Sequence, residues 1–130
     1  MLFNTALITL ASTLALMVNA APMPLEKRGF SGDGTFYNPS VGKGSCGWLN
    51  SDSQMVAALN APQMGNGPNP NNNSKCGRSI RVTGPKGSVT VKIVDTCPPC
   101  HSGDVDLSPA AFNKIADFKQ GRVPITWDWA

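Results

Sequence analysis

VTVKIVDTCPPCHSGDVDLSPAAFNKIADF, residues Val89–Phe118, is the stretch that decides the fold. Val89, Val91 and Ile93 alternate with Thr90 and Lys92, the period of two expected of a half-buried β-strand. Cys97-Pro98-Pro99-Cys100 then breaks the pattern, because a proline cannot donate to a strand ladder. Ser108 is placed to cap a helix with Pro109 at its first position. Ala111, Phe112, Ile115 and Ala116 give that helix one apolar face. Three carboxylates, Asp95, Asp104 and Asp106, sit around the turn.

Working outward, Arg78–Thr83 also alternates, and Gly84–Gly87 (GPKG) joins it to the Ser88–Val94 run as a hairpin. Downstream, Gly121 ends the helical segment and Arg122–Trp129 reads as a closing strand. Its Val123, Ile125, Trp127 and Trp129 share one face, and Pro124 predicts an open edge or an irregularity. Near the start, Gly32–Asn38 (GDGTFYN) reads as a first strand and Pro39–Gly47 as a loop. Asn50–Ser53 offers several caps before Gln54–Leu59, which fits either a helical turn or a buried strand. Ala61–Lys75 is polar, without periodicity, and is expected to be loop. Together these elements are mainly β with one short helix, and a small closed barrel is the economical architecture.

The N-terminus sets the expected compartment. Residues 1–20 have an apolar core around Leu7–Val18, no acid, and small residues at Val18 and Ala20, the pattern of a cleaved secretory signal. The apolar run is short for a membrane span, which takes about 20 predominantly apolar residues. Residues 21–28 end in Lys27-Arg28, either a dibasic processing site or an ordinary linker. Cleavage there would leave a single domain, residues 29–130. The net charge of +3 would lose Glu26, Lys27 and Arg28 and fall to about +2. So small a charge without clustered cations argues against a nucleic-acid partner. A monomer, secreted and extracellular, free of the membrane once the signal is removed, is expected.

Four cysteines in a secreted chain point to two disulfides, with three possible pairings. A local bridge Cys97–Cys100 across the two prolines would leave Cys46 with Cys76. A zinc site is not expected, because Cys46 and Cys76 lack partners at metal spacing and His101 is the single histidine. No cofactor is implied.

A GDGTFY start, Cys46-Gly47 after a long loop, Val94-Asp95-Thr96-Cys97-Pro98 and Asp106-Leu107-Ser108-Pro109 closely resemble, in this order, the RlpA-like double-psi β-barrel family. That family includes the first domain of expansins, loosenins, barwin-like proteins, family-45 endoglucanases and papain-inhibitor-like secreted proteins. The resemblance implies a six-stranded barrel with one or two short helices and a groove across one face. It places Asp106 at the essential acid of the expansin His-Phe-Asp triplet, which here reads Asp104-Val105-Asp106. It places Asp95, Thr35 and Tyr37 in the same groove. Two departures weigh on function. The triplet's histidine is Asp104, and the first strand reads Thr35-Phe36-Tyr37-Asn38-Pro39, with no carboxylate where family-45 hydrolases need a second acid.

Several readings of single residues stay open at this level. Asp95 fits a turn-shaping acceptor as well as a groove ligand. Asp106 fits favourable charge at a helix start as well as the groove, and it is the one candidate catalytic residue. Asp104 and His101 are expected to be solvated loop residues. Trp48 fits a sugar-stacking surface or a protein anchor, whereas Trp127 and Trp129 fit barrel packing. Asn72-Asn73-Ser74 is an N-glycosylation sequon. Two functions follow. One is non-hydrolytic binding and loosening of cell-wall polysaccharide (cellulose, chitin or peptidoglycan) through Thr35, Tyr37, Asp95 and Asp106. The other is an interaction module, such as an inhibitor of a secreted papain-like protease, acting through loops around Trp48 and Asn66–Asn73. A weaker third is single-acid lytic transglycosylation.

Overall fold

A computed structural model describes residues 29–130; the expected signal and the dibasic segment lie outside the described residues. Six strands run in the order β1 (Phe30–Phe36), β2 (Val56–Asn60), β3 (Ser79–Gly84), β4 (Gly87–Cys97), β5 (Val105–Leu107) and β6 (Val123–Trp129). Two short helices, α1 (Ala61–Met64) and α2 (Pro109–Ile115), follow β2 and β5.

The sheet closes on itself as β1-β5-β2-β4-β3-β6. β1 pairs with β5 and β2 with β4 in parallel, while the other four neighbours are antiparallel. Closure leaves no free sheet edge, the usual liability of a small β domain. Alternation does the sorting. Ile80 and Val82 of β3, Val89, Val91 and Ile93 of β4, and Val123, Ile125 and Trp127 of β6 turn inward onto Leu59, Val105 and Leu107. Ala111, Phe112 and Ile115 of α2 join the same core. The β3–β4 hairpin matches its sequence signal, with Gly84 opposite Gly87.

Pro124 lies in a strand of the closed barrel, opposite Asp33 of β1. On the other side β6 pairs with β3 only over Thr126–Trp129, so Pro124 falls beyond that ladder. The edge expected from Pro124 is therefore local.

Three expectations are corrected. The first strand runs Phe30–Phe36, two residues ahead of its predicted span, because its pairing with β6 starts at Phe30 opposite Trp127. Ala61–Lys75 is not all loop. Asn60 accepts a bond from the Gln63 N–H through its side chain and caps the single turn α1, whose Met64 is fully buried. Asp104 is not a solvated loop residue but is almost wholly buried. Its carboxylate accepts from the backbone N–H of Asp33 (2.9 Å) and of His101 (2.9 Å), fastening the turn after β4 to β1. His101 itself is exposed, as expected.

Ser108 caps α2 as its sequence position predicts and also bridges elements. Its hydroxyl accepts from Ala111 N–H and donates to the Gln54 carbonyl at 2.6 Å, while its own N–H donates to Val56. Ser108→Ala removes the cap and leaves the buried Ala111 N–H without its acceptor, so we expect a loss of about 1–2 kcal/mol. Thermal unfolding should register it as a Tm fall of roughly 5–10 °C.

Candidate binding groove

Four strands bring three of the four predicted groove residues, Thr35, Asp106 and Asp95, into one row, while Tyr37 lies just past the end of β1. Thr35 of β1 lies beside Asp106 of β5, Asp106 beside Ala58 of β2, and Ala58 beside Asp95 of β4. Because Val105 and Leu107 point into the core, Asp106 points out. The two carboxylates are thus two strand spacings apart, about 9.5 Å between Cα atoms. Ala58 is the floor between them, where any larger side chain would fill the gap.

Thr35 Oγ1 donates to Asp106 Oδ1 at 2.8 Å, fixing the half-buried carboxylate. Burial raises the Asp106 pKa above its ordinary value; the Thr35 bond and the Arg122 charge oppose that rise, and the Asp95 charge adds to it. Burial, and then the charges of Asp95 and Asp106, push the Tyr37 phenol well above its usual range. Its hydroxyl is buried and makes no hydrogen bond among the described residues. It is a buried polar group near two carboxylates whose partner the described residues do not supply.

Asp95 has a double role. Its Oδ1 accepts from Ser45 N–H (2.8 Å) and from its neighbour Thr96 N–H (2.7 Å), so the turn-shaping expectation holds on that oxygen. It also clamps the loop that carries Trp48. That clamp requires glycine at 44, where a Cβ would stand 2.5 Å from the Val94 carbonyl oxygen and 2.9 Å from Asp95 Cγ.

Beside Asp106 lies a hollow of about 300 Å³, lined in part by Thr35, Cys100, His101, Asp106 and Arg122. The Cys97–Cys100 disulfide forms its wall, and Cys46–Cys76 is the second bridge. Arg122 is held over the hollow by an exposed ion pair with Asp33 at 3.0 Å. Sequence reading missed Arg122 and Ala58. A cation one residue ahead of β6 carries no local signature, and an alanine shows its value only by its strand neighbours.

The double-psi β-barrel model described as lytic transglycolase matches residues 31–127. This chain belongs to that family. The double-psi barrel is also 36% identical over 118 residues to a papain inhibitor of Streptomyces mobaraensis, covering 88% of this chain and 80% of that protein. A solved structure of a Streptomyces papain inhibitor superposes with a TM-score of 0.72 over 78% of this chain and 94% of that one. An EG45-like domain containing protein of Citrus jambhiri is 34% identical over 111 residues, 76% of this chain and 80% of that protein. An aspartate-to-asparagine variant of a Clavibacter michiganensis expansin, solved in complex with cellohexaose, has a TM-score of 0.65 at 31% identity. That alignment covers 78% of this chain and 50% of the expansin. Among the described residues no helix is long and apolar enough to cross a membrane, and no cluster of three or more metal-ligating side chains occurs.

Trp48 lies at the other end of the row. It is about half exposed, and a Cβ added at Gly77 would touch its ring at 3.6 Å, so the ring rests on Gly77 beside the Cys46–Cys76 bridge. Leu49 next to it is more exposed still. Trp127 is buried, and Trp129 packs edge-on to it with the Arg78 guanidinium over its own ring. Both are packing residues, as their alternation predicts.

Proposed function

We propose that this double-psi barrel is a secreted, non-hydrolytic wall-polysaccharide binder whose groove is the row Thr35–Asp106–Ala58–Asp95, with Tyr37 close to its two carboxylates. The observation that carries this reading is the row itself. It sets the half-buried carboxylates of Asp106 and Asp95 two strands apart, acceptors spaced to take the hydroxyls of a sugar chain. The expansin relative solved with cellohexaose supports the ligand class. The first strand runs on into Asn38-Pro39, with no carboxylate where family-45 hydrolases need their second acid, so Asp106 is the single candidate acid. Inverting hydrolysis, which needs two free carboxyls, is not expected.

Pull-down on insoluble cellulose, chitin and peptidoglycan tests this, with release of soluble sugar ends followed in the same tubes. Retention without release supports the reading. Retention with release would replace it with single-acid transglycosylation at Asp106, and no retention on any polymer would remove it.

A second reading rests on a specific observation: the Trp48 loop is rigid as well as apolar. The Cys46–Cys76 bridge, Cys46 N–H to Val94, Ser45 N–H to Asp95 and Gly44 N–H to the Trp48 carbonyl all hold it. Such preorganisation suits insertion into a protein cleft, and similarity to a papain inhibitor supplies the partner class. Trp48→Ala is expected to weaken papain inhibition on the order of tenfold while leaving retention on polysaccharide unchanged. Inhibition assays beside pull-downs check both halves.

A further inference from the structure

Asn71, Asn72 and Asn73 form a run of three amides that the fold treats differently. Asn71 Nδ2 donates to the Ser45 carbonyl at 2.7 Å. Asn73 Nδ2 donates to the Met64 carbonyl (2.9 Å) and to Asn66 Oδ1 (2.7 Å), and its own Oδ1 accepts from Lys75 N–H. Both flanking side chains are therefore pinned against the molecule. Asn72 between them is exposed, and its amide makes no hydrogen bond among the described residues. Ser74, which completes the triplet, is likewise exposed.

The chain has one other Asn-x-Ser triplet, Asn38-Pro39-Ser40. Proline at the middle position disqualifies it, and the Asn38 amide is engaged with Asp52 at 3.0 Å. Sequence rule and side-chain orientation thus select the same single position.

We propose that Asn72 carries an N-linked glycan, and that this glycan screens the Trp48–Leu49 loop while leaving the Asp106 end of the groove free. In the transfer, Asn72 Nδ2 bonds to the anomeric carbon of a lipid-diphosphate-linked oligosaccharide. The bond from that carbon to phosphate breaks, the amide proton is lost, and the lipid diphosphate departs. The fold then has to present the sugar outward, which is possible at Asn72 and not at Asn71 or Asn73. Its placement follows from three ties between the sequon loop and the Trp48 loop: Asn71 to Ser45, Cys76 to Cys46, and Gly77 under the Trp48 ring. A bulky, hydrated substituent one residue from the first tie lies over that loop. The hollow beside Asp106 is walled by residues that include Cys100, His101 and Arg122, and no residue of the sequon loop lines it.

The screening half rests on the two-surface reading above; the modification half does not. The full chain is expressed in a eukaryotic secretory host, and the secreted product is digested with an amidase that removes N-glycans and leaves aspartate behind. Mass spectrometry should find the sugar, and after digestion aspartate, at position 72. Asn72→Gln and Ser74→Ala should abolish it, and Ser74→Thr should keep it. A secreted chain unmodified at Asn72 would overturn the proposal. The glycoform should inhibit papain on the order of tenfold less than Asn72→Gln from the same host, with equal retention on polysaccharide. Equal inhibition by the two, or equal loss of inhibition and retention in the glycoform, would overturn the screening half. If neither form inhibits papain or is retained on any polymer, the two-surface reading fails and takes the screening half with it, while the mass result stands.

Discussion

Gly103→Ala should lower Tm by about 15 °C or more, corresponding to a loss of roughly 3 kcal/mol. Gly103 has φ +94°, a conformation that L side chains rarely adopt. A Cβ there would stand 2.0 Å from the Ser31 carbonyl oxygen and 3.0 Å from its carbon, so the obstacle is backbone of β1. The neighbouring chain cannot evade it by changing a rotamer. Displacing this glycine would also disturb the bond that its carbonyl accepts from the buried Trp127 indole (2.9 Å) and the one that its N–H makes to Gln63. Gly42→Ala is the control. Its backbone is extended and nothing lies within 4 Å of the added carbon, so a change within about 0.5 kcal/mol is expected. Thermal unfolding of the two variants side by side checks the difference; equal Tm values would refute this account of the turn.

Asp106→Asn should weaken retention on the bound polysaccharide by about 2 kcal/mol, on the order of thirtyfold, without destabilising the fold at neutral pH. Asparagine keeps an oxygen for the Thr35 hydroxyl, so the local geometry survives. What disappears is a charge that burial disfavours. The pH dependence separates this from a structural role. The folded-state pKa of Asp106 lies above the ordinary value of 3.8, so between the two the folded chain binds more protons than the unfolded one. Stability on this account falls as pH rises through that window and levels off on either side. Asp52 acts in the opposite sense. Bonds from Ser40, chiefly its backbone N–H, and from Asn38 hold its pKa low, so its contribution is present above 3.8 and is lost as pH falls further. Subtracting the Asp106→Asn profile from that of the parent chain should leave a slope confined to the window above 3.8. A binding loss accompanied by a matching fall in Tm would mean that Asp106 acts through the fold and not on the sugar.

Much of the barrel is legible in the chain because period two survives wherever a strand has one wet face. β3, the first half of β4, and β6 all read correctly for that reason. β2 does not, since Val56–Asn60 is buried on both sides and a short apolar run has no period to display. The turn α1 is hidden differently: its cap, Asn60, is itself the last residue of a strand. Of the proposed groove, Thr35, Tyr37, Asp95 and Asp106 are reachable through the resemblance and through their turn and strand positions. Asp104 was misjudged because a carboxylate in a Gly-rich turn looks wet until its acceptors are assigned. Here both of its oxygens accept backbone N–H groups, one of them 71 positions away.

The parallel pairing of β1 with β5 has a temporal consequence. The groove row takes its residues from positions 35, 58, 95 and 106, and the Thr35–Asp106 bond spans a separation of 71 residues. Closing a loop of that length precedes any reward from the contact, which places such a barrel among slow folders. No amino-terminal portion of the chain can assemble the row before β5 has been made. During synthesis the row is therefore among the last features to exist, and on the proposed function a chain caught before closure should be silent toward sugar and not weakly active.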